Sequence, residues 1–106
     1  MEAVSRKISF EEAHRKLEAA ERFVILDVRT EEEFITGHAE GAQLLPHFAI
    51  TAERAADVIP TKDTLVLVYC RSGRRSHQAA ETLLSLGYEN TYDMGSLVGW
   101  PYGMAW

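Results

Sequence analysis

Cys70 is the only cysteine among 106 residues, and it closes an apolar run at residues 64–69 where the chain turns into Arg71-Ser72-Gly73-Arg74-Arg75-Ser76. A thiol attacks as its thiolate, and nearby positive charge and the N–H groups of a helix N-terminus both favour that form. Gly73 lets the backbone bend without a Cβ clash, so the segment reads as a strand, an anion-cradling loop and a helix start with Cys70 at its base. A lone cysteine ending a core strand reads more simply as a small buried residue. The crowd of arginines behind it shifts the reading to a nucleophile. A thiol already ionised by its surroundings needs no general base, so the histidines need not take part. His38 belongs with the Gly37 turn, His77 with the exposed side of the loop helix, and His14 and His47 carry no site signal. Four histidines scattered singly do not make a metal cluster, and no cofactor is called for.

The elements that must hold this loop can be read from periodicity and caps. Ser9 with Glu12 forms a capping box ahead of Phe10, Ala13, Leu17 and Ala20, which predicts a helix over residues 10–21. Residues 23–28 are nearly unbroken in apolar character and predict a strand buried on both faces. A second capping box, Thr30 with Glu33, opens a short helix ended by Gly37 and His38. Residues 41–45 predict a short strand stopped by Pro46, residues 51–58 a helix stopped by Pro60, and residues 64–69 the central strand. Ala79, Ala80, Leu83 and Leu84 mark one face of the loop helix, Gly87 suits its C′ position, and residues 91–93 add a last strand. Alternating strands and helices predict an α/β fold with a mostly parallel sheet flanked by helices on both faces. Ligands of such sheets bind beyond the carboxyl ends of the strands. Asp27 and Arg29 end one apolar strand and Cys70 the other, so the two sets can face one crevice.

A chain of this length suits one domain over residues 1–106. Composition is that of an ordinary globular protein, and no stretch is long and apolar enough to span a membrane. The first residues lack an apolar signal core and one cysteine cannot build a disulfide framework, so a reducing, cytoplasmic setting is expected. A net charge of −5 opposes binding to nucleic acid or anionic membrane, which makes the basic loop a local exception suited to a small anion.

Four blocks, Leu26-Asp27-Val28-Arg29, residues 34–42, Cys70 to Ser76 and residues 94–100, together resemble the single-domain rhodanese family of sulfurtransferases in order and spacing. The resemblance implies a rhodanese-like fold in which Cys70 takes a sulfane sulfur from thiosulfate or a related donor and carries it as a persulfide. It places Arg71, Ser72, Gly73, Arg74, Arg75 and Ser76 in the substrate-binding loop and makes Asp27 and Arg29 loop supports, with an ion pair from Asp27 to Arg71 as the expected tie. With no second thiol to resolve the persulfide, sulfur must leave to cyanide, a small thiol or a partner protein's thiol. Monomer and homodimer remain equally open. Two alternatives use the same residues. One is a persulfide carrier or regulatory module without turnover. The other is a cysteine phosphatase or arsenate reductase, whose resembling loops place five residues between nucleophile and arginine, whereas Cys70 and Arg75 enclose four and Ser76 stands at that arginine's position. The chain departs from the family in its aromatic tail, residues 100–106, which could seal the core, roof the crevice or enter a second subunit. The Met94-Gly95-Ser96 segment also departs from the usual paired glycines.

Overall fold

The computed structural model describes residues 6–106; the leading segment read for a targeting signal falls mostly outside them. The chain runs α1 (Phe10–Ala19), β1 (Phe23–Asp27), α2 (Glu31–Ile35), β2 (His38–Ala39), β3 (Gln43–Leu44), a 3-10 turn (His47–Ala49), α3 (Ala52–Val58), β4 (Leu65–Cys70), α4 (Arg74–Ser85), β5 (Thr91–Ser96) and β6 (Met104–Ala105). Four strands form a parallel sheet in the order β3-β1-β4-β5, while β2 and β6 form a separate antiparallel ribbon. No helix among the described residues is long and apolar enough to cross a membrane.

Strand alternation divides the core into two faces. Leu65, Leu67 and Tyr69 point to the α1 side, where they pack with Ile25, Ala13, Met94 and Trp100. Val66, Val68 and Cys70 point the other way, into a cluster with Val24, Leu26, Ala55 of α3 and Ala79 and Leu83 of α4. Helices therefore cover both faces, and the same alternation aims Cys70 at the α4 side. All six residues of β4 are buried, as the unbroken apolar run requires of a central strand.

Element ends differ from the sequence reading for local reasons. Ala20 is already extended (φ −82, ψ 138) to feed β1, so α1 stops at Ala19. The Ser9 cap is half a box: its Oγ accepts from the Glu12 N–H, and Glu12 returns to the Ser9 hydroxyl at 3.4 Å. Only Gln43–Leu44 pair within the expected strand 41–45, because Gly41 turns at φ +82 and the Ala42 N–H closes a turn on Ala39 O. Conversely, β5 runs on to Ser96 through a bulge: Val68 faces Asp93 but Tyr69 faces Gly95, which brings Ser96 opposite Cys70. The tail does two of the three things open to it. Trp100 is buried edge-on to Phe10 at 5.2 Å, and Met104 packs against the same core while β6 pairs with β2. Both residues also wall a cleft described below, and Trp106 lies 82% exposed outside the core.

Candidate active site

Cys70 is the last residue of β4, and its Sγ sits beneath the turn that leads into α4. The Gly73 N–H donates to Sγ at 2.8 Å, and the thiol donates to Ser76 Oγ at 3.5 Å. Ser76 is buried, and its own hydroxyl donates to the Gly73 carbonyl at 3.1 Å, closing a small ring around the sulfur. Gly73 is the N-cap of α4 at φ +91, a conformation that costs a side-chain-bearing residue about 1–2 kcal/mol. Three further N–H groups, of Arg74, Arg75 and Ser76, open the helix without intrahelical acceptors. The turn is held from behind by β5. Leu97 N–H donates to Cys70 O at 2.9 Å, Ser96 Oγ donates to Arg71 O at 2.5 Å, and Gly95 N–H is fixed by the Asp93 carboxylate at 2.7 Å. A Cβ on Gly73 would stand 3.6 Å from Gly95 Cα, an ordinary contact, so the φ of +91 and not lack of room calls for glycine here.

The loop residues do not share one orientation. Arg71 and Ser72 are exposed, and the Arg71 guanidinium has no partner among the described residues. Arg74 is likewise exposed at the first position of α4. Arg75 turns away from the sulfur and grips Glu33 of α2 with two parallel bonds of 2.7 and 2.9 Å. Glu33 serves two masters: its Oε1 also takes the Thr30 N–H and hydroxyl, completing the capping box of α2. Bonds from Arg75 outweigh partial burial and, with Thr30, pull the Glu33 carboxyl from 4.5 down to about 2; the same pair holds the Arg75 charge more firmly than usual. The sequence marked Glu33 only as a cap, since its partner lies 42 residues away.

Asp27 does not pair with Arg71, contrary to expectation. It lies fully buried on the α1 side of the sheet, opposite the face that Cys70 occupies, and Arg29 two residues on folds back over it at 2.7–3.1 Å. Tyr69 Oη donates to Asp27 Oδ2 at 2.6 Å and accepts the Ala39 N–H at 3.1 Å, while Arg29 reaches on to Gly37 O at 2.7 Å. Burial works against the Arg29 charge, but the bonds and attraction of Asp27 outweigh it and raise its pKa; burial and then the Asp27 bond push the Tyr69 phenol well above its ordinary range. Asp27 and Arg29 thus tie β1, β4 and the turn at Gly37 together. His38 bonds Phe34 O and stacks on Phe34, so it belongs to that turn, and His77 sits exposed beside Glu81.

A cleft of about 580 Å3 opens beside the loop, lined by Arg71 and Leu97 together with Val98, Trp100, Met104, Arg29 and Glu33. Cys70 is fully buried and does not line it; the covalent neighbour of Cys70, Arg71, and its hydrogen-bonded neighbour, Leu97, do.

A parallel α/β sheet that presents a lone thiol on a strand–loop–helix anion cradle defines a thiol-centred class of site. A family model described as Rhodanese-like domain matches residues 9–101. The thiosulfate sulfurtransferase PspE of Escherichia coli (strain K12) is 39% identical over 79 residues, covering 74% of this chain and 73% of that protein. A sulfurtransferase of Allochromatium vinosum is 34% identical over 95 residues, covering 89% and 86%. Among solved structures, a rhodanese with anions from E. coli superposes with a TM-score of 0.72 at 34% identity, covering 77% of this chain and 95% of that one. The chain belongs to the rhodanese family. That membership supports sulfur transfer of the rhodanese type as its activity class.

Two outcomes are expected of the supporting network. Tyr69→Phe strands the buried Ala39 N–H and removes one bond to Asp27, so the unfolding midpoint in urea should fall by the equivalent of about 1–3 kcal/mol; an unchanged midpoint would remove Tyr69 from the network. For Glu33, the folded-state value lies below the ordinary one, so its carboxylate contributes stability that is complete above about pH 4.5 and lost as pH falls towards about 2. Glu33→Gln should cost about 1 kcal/mol at neutral pH. The gap to the parent protein should close across that acid window, and a gap independent of pH would mean that the ion pair contributes nothing.

Proposed function

We propose that this protein takes a sulfane sulfur from thiosulfate or a related anionic donor onto Cys70 as a persulfide and passes it to an external acceptor. The observation that carries this reading is the seat of the sulfur: Sγ lies under the Gly73 N–H at 2.8 Å, at the N-terminus of a twelve-residue helix. In the first half-reaction the Cys70 thiolate attacks the outer sulfur of thiosulfate, the S–S bond breaks, and sulfite leaves with the bonding pair. In the second, an acceptor such as cyanide, a small thiol or a partner protein's thiol removes that sulfur and regenerates the thiolate. Both steps balance without a metal or organic cofactor.

Roles follow from position. Cys70 carries the sulfur, Gly73 and the first N–H groups of α4 surround it, and the Ser76 hydroxyl can rotate from the Gly73 carbonyl to an anion at Sγ. Arg71, with Ser72 and Arg74 at the rim, attracts the anionic donor, while Arg75 anchors the loop to Glu33. Asp27 and Arg29 support the loop at one remove by fixing the ends of β1 and β4. Because Cys70 is fully buried, residues covering it must shift for a donor to reach Sγ. Ser76, where a phosphatase-type loop would place its arginine, is buried and uncharged, which favours a single sulfur atom over a tetrahedral oxyanion as cargo. A free thiol of this kind suits a reducing compartment such as the cytoplasm.

Intact-protein mass after thiosulfate and then cyanide tests the reading. The parent protein should gain one sulfur atom and lose it to cyanide as thiocyanate, and Cys70→Ala should gain none. No gain from thiosulfate or any other sulfane donor, or an equal gain on Cys70→Ala, would overturn it.

A further inference from the structure

Ser96 follows Gly95 in the segment that departs from the family's paired glycines, and it supplies a hydroxyl that a glycine cannot. That hydroxyl is fully committed. Its oxygen accepts the Val98 N–H at 3.1 Å, and its one proton goes at 2.5 Å to the Arg71 carbonyl, which can only accept. The carbonyl before it, of Cys70, takes the Leu97 N–H at 2.9 Å. The first two carbonyls of the loop are therefore both drawn towards the end of β5. In a planar trans peptide the C=O and the following N–H point opposite ways, so turning the Arg71 carbonyl to Ser96 sends the Ser72 N–H away from it. The next N–H along, of Gly73, meets Sγ at 2.8 Å. An anion cradle made of successive N–H groups fails if one peptide plane turns over, because a carbonyl oxygen then faces the anion. The bond from Ser96 blocks that turn at the peptide between Arg71 and Ser72.

Resting on the reading of Cys70 as the sulfur carrier, we infer that Ser96 is a positioning residue of the site: by holding the Arg71 carbonyl outward it keeps the loop's N–H groups, and not its oxygens, turned to the Cys70 sulfur, and so favours the thiolate and the persulfide anion over their protonated forms. It acts through the backbone of the loop and touches no substrate. Removing the hydroxyl changes no charge. Around Cys70, Arg71 and Arg74 are exposed on the loop, Arg75 is paired with Glu33, and His77 sits on α4. Asp93 and Lys7 lie at Gly95 on the β5 side, and His47 is on the 3-10 turn that packs against α4. All of these remain in Ser96→Ala, so a change in thiol ionisation there reads the orientation of the loop's dipoles.

The test follows the rate of Cys70 alkylation by iodoacetamide against pH in the parent protein, Ser96→Ala, Ser96→Gly and Ser96→Thr, with sulfur loading from thiosulfate read by mass in parallel. On the acid side of the titration Ser96→Ala and Ser96→Gly should react about three- to tenfold more slowly than the parent, the effect of one hydrogen bond. The gap should close at alkaline pH, where every thiol is ionised, and Ser96→Thr, which keeps the hydroxyl, should follow the parent. Ser96→Gly gives the paired glycines usual in the family and keeps the test sound if Ser96→Ala fails to fold. No gap, a gap of the same size at every pH, as altered access would give, or a Ser96→Thr profile matching that of Ser96→Ala would overturn the inference and leave sulfur transfer standing. If the parent protein loads no sulfur, the transfer reading fails on its own, and the alkylation profile still decides the role of Ser96 at the thiol.

Discussion

Burying the Asp27 carboxylate is the constraint around which the site side of this protein is organised. A carboxylate taken out of water costs several kcal/mol unless its oxygens are met, and losing one partner of such a pair costs about 3–5 kcal/mol. Here Arg29 meets both oxygens and Tyr69 one of them, and each partner then carries the constraint outward. Arg29 reaches the Gly37 carbonyl, which fixes the end of α2. Tyr69 takes the Ala39 N–H, which fixes β2 and, through it, the β6 ribbon bearing Met104. Tyr69 is also the residue before Cys70. The position of the sulfur, the pose of the α2 cap that grips Arg75, and the wall of the cleft therefore share one buried charge.

The parity of β4 does the rest. Because Tyr69 faces α1, Cys70 must face α4, and a strand that ends there delivers its last side chain to the first turn of the next helix. The turn lies against β5, where Ser96 and Leu97 clasp the loop instead of leaving it open. A looser loop would expose Sγ but would lose the short N–H contact that makes the site hospitable to an anion.

What the sequence showed and hid follows from the range of each interaction. The apolar strand runs, both capping positions, the C′ glycine at residue 87 and the Cys70 loop rest on neighbours within about one helical turn, and these were legible. The loop's ties were not. The family resemblance implied a tie from Asp27 to Arg71, yet Arg29, only two residues away, satisfies Asp27 first. Glu33 with Arg75 and β2 with β6 join residues far apart in the chain and leave no periodic or compositional trace. The bulge at Met94 could be suspected from the glycine that follows it, but its consequence, Ser96 opposite Cys70, depends on register that only the sheet reveals.

Charge pairing also separates two duties that the sequence lumps together. Three arginines follow Cys70 within five residues, and a simple count would give the site an intensely positive mouth. Arg75 is spent on Glu33, and Arg29 nearby on Asp27, so half of the positive charge near the sulfur is structural and already neutralised. Each pair rigidifies an element that frames the loop, and the exposed Arg71 and Arg74 are left as the uncompensated charges. Acidic partners for the structural arginines thus keep the rim weakly positive on a chain of net charge −5. A cradle built from backbone N–H groups then does at the sulfur what guanidinium groups do in a phosphate site. It has one difference of consequence: fixed N–H groups favour an anion at one place, here the Cys70 Sγ at the end of β4.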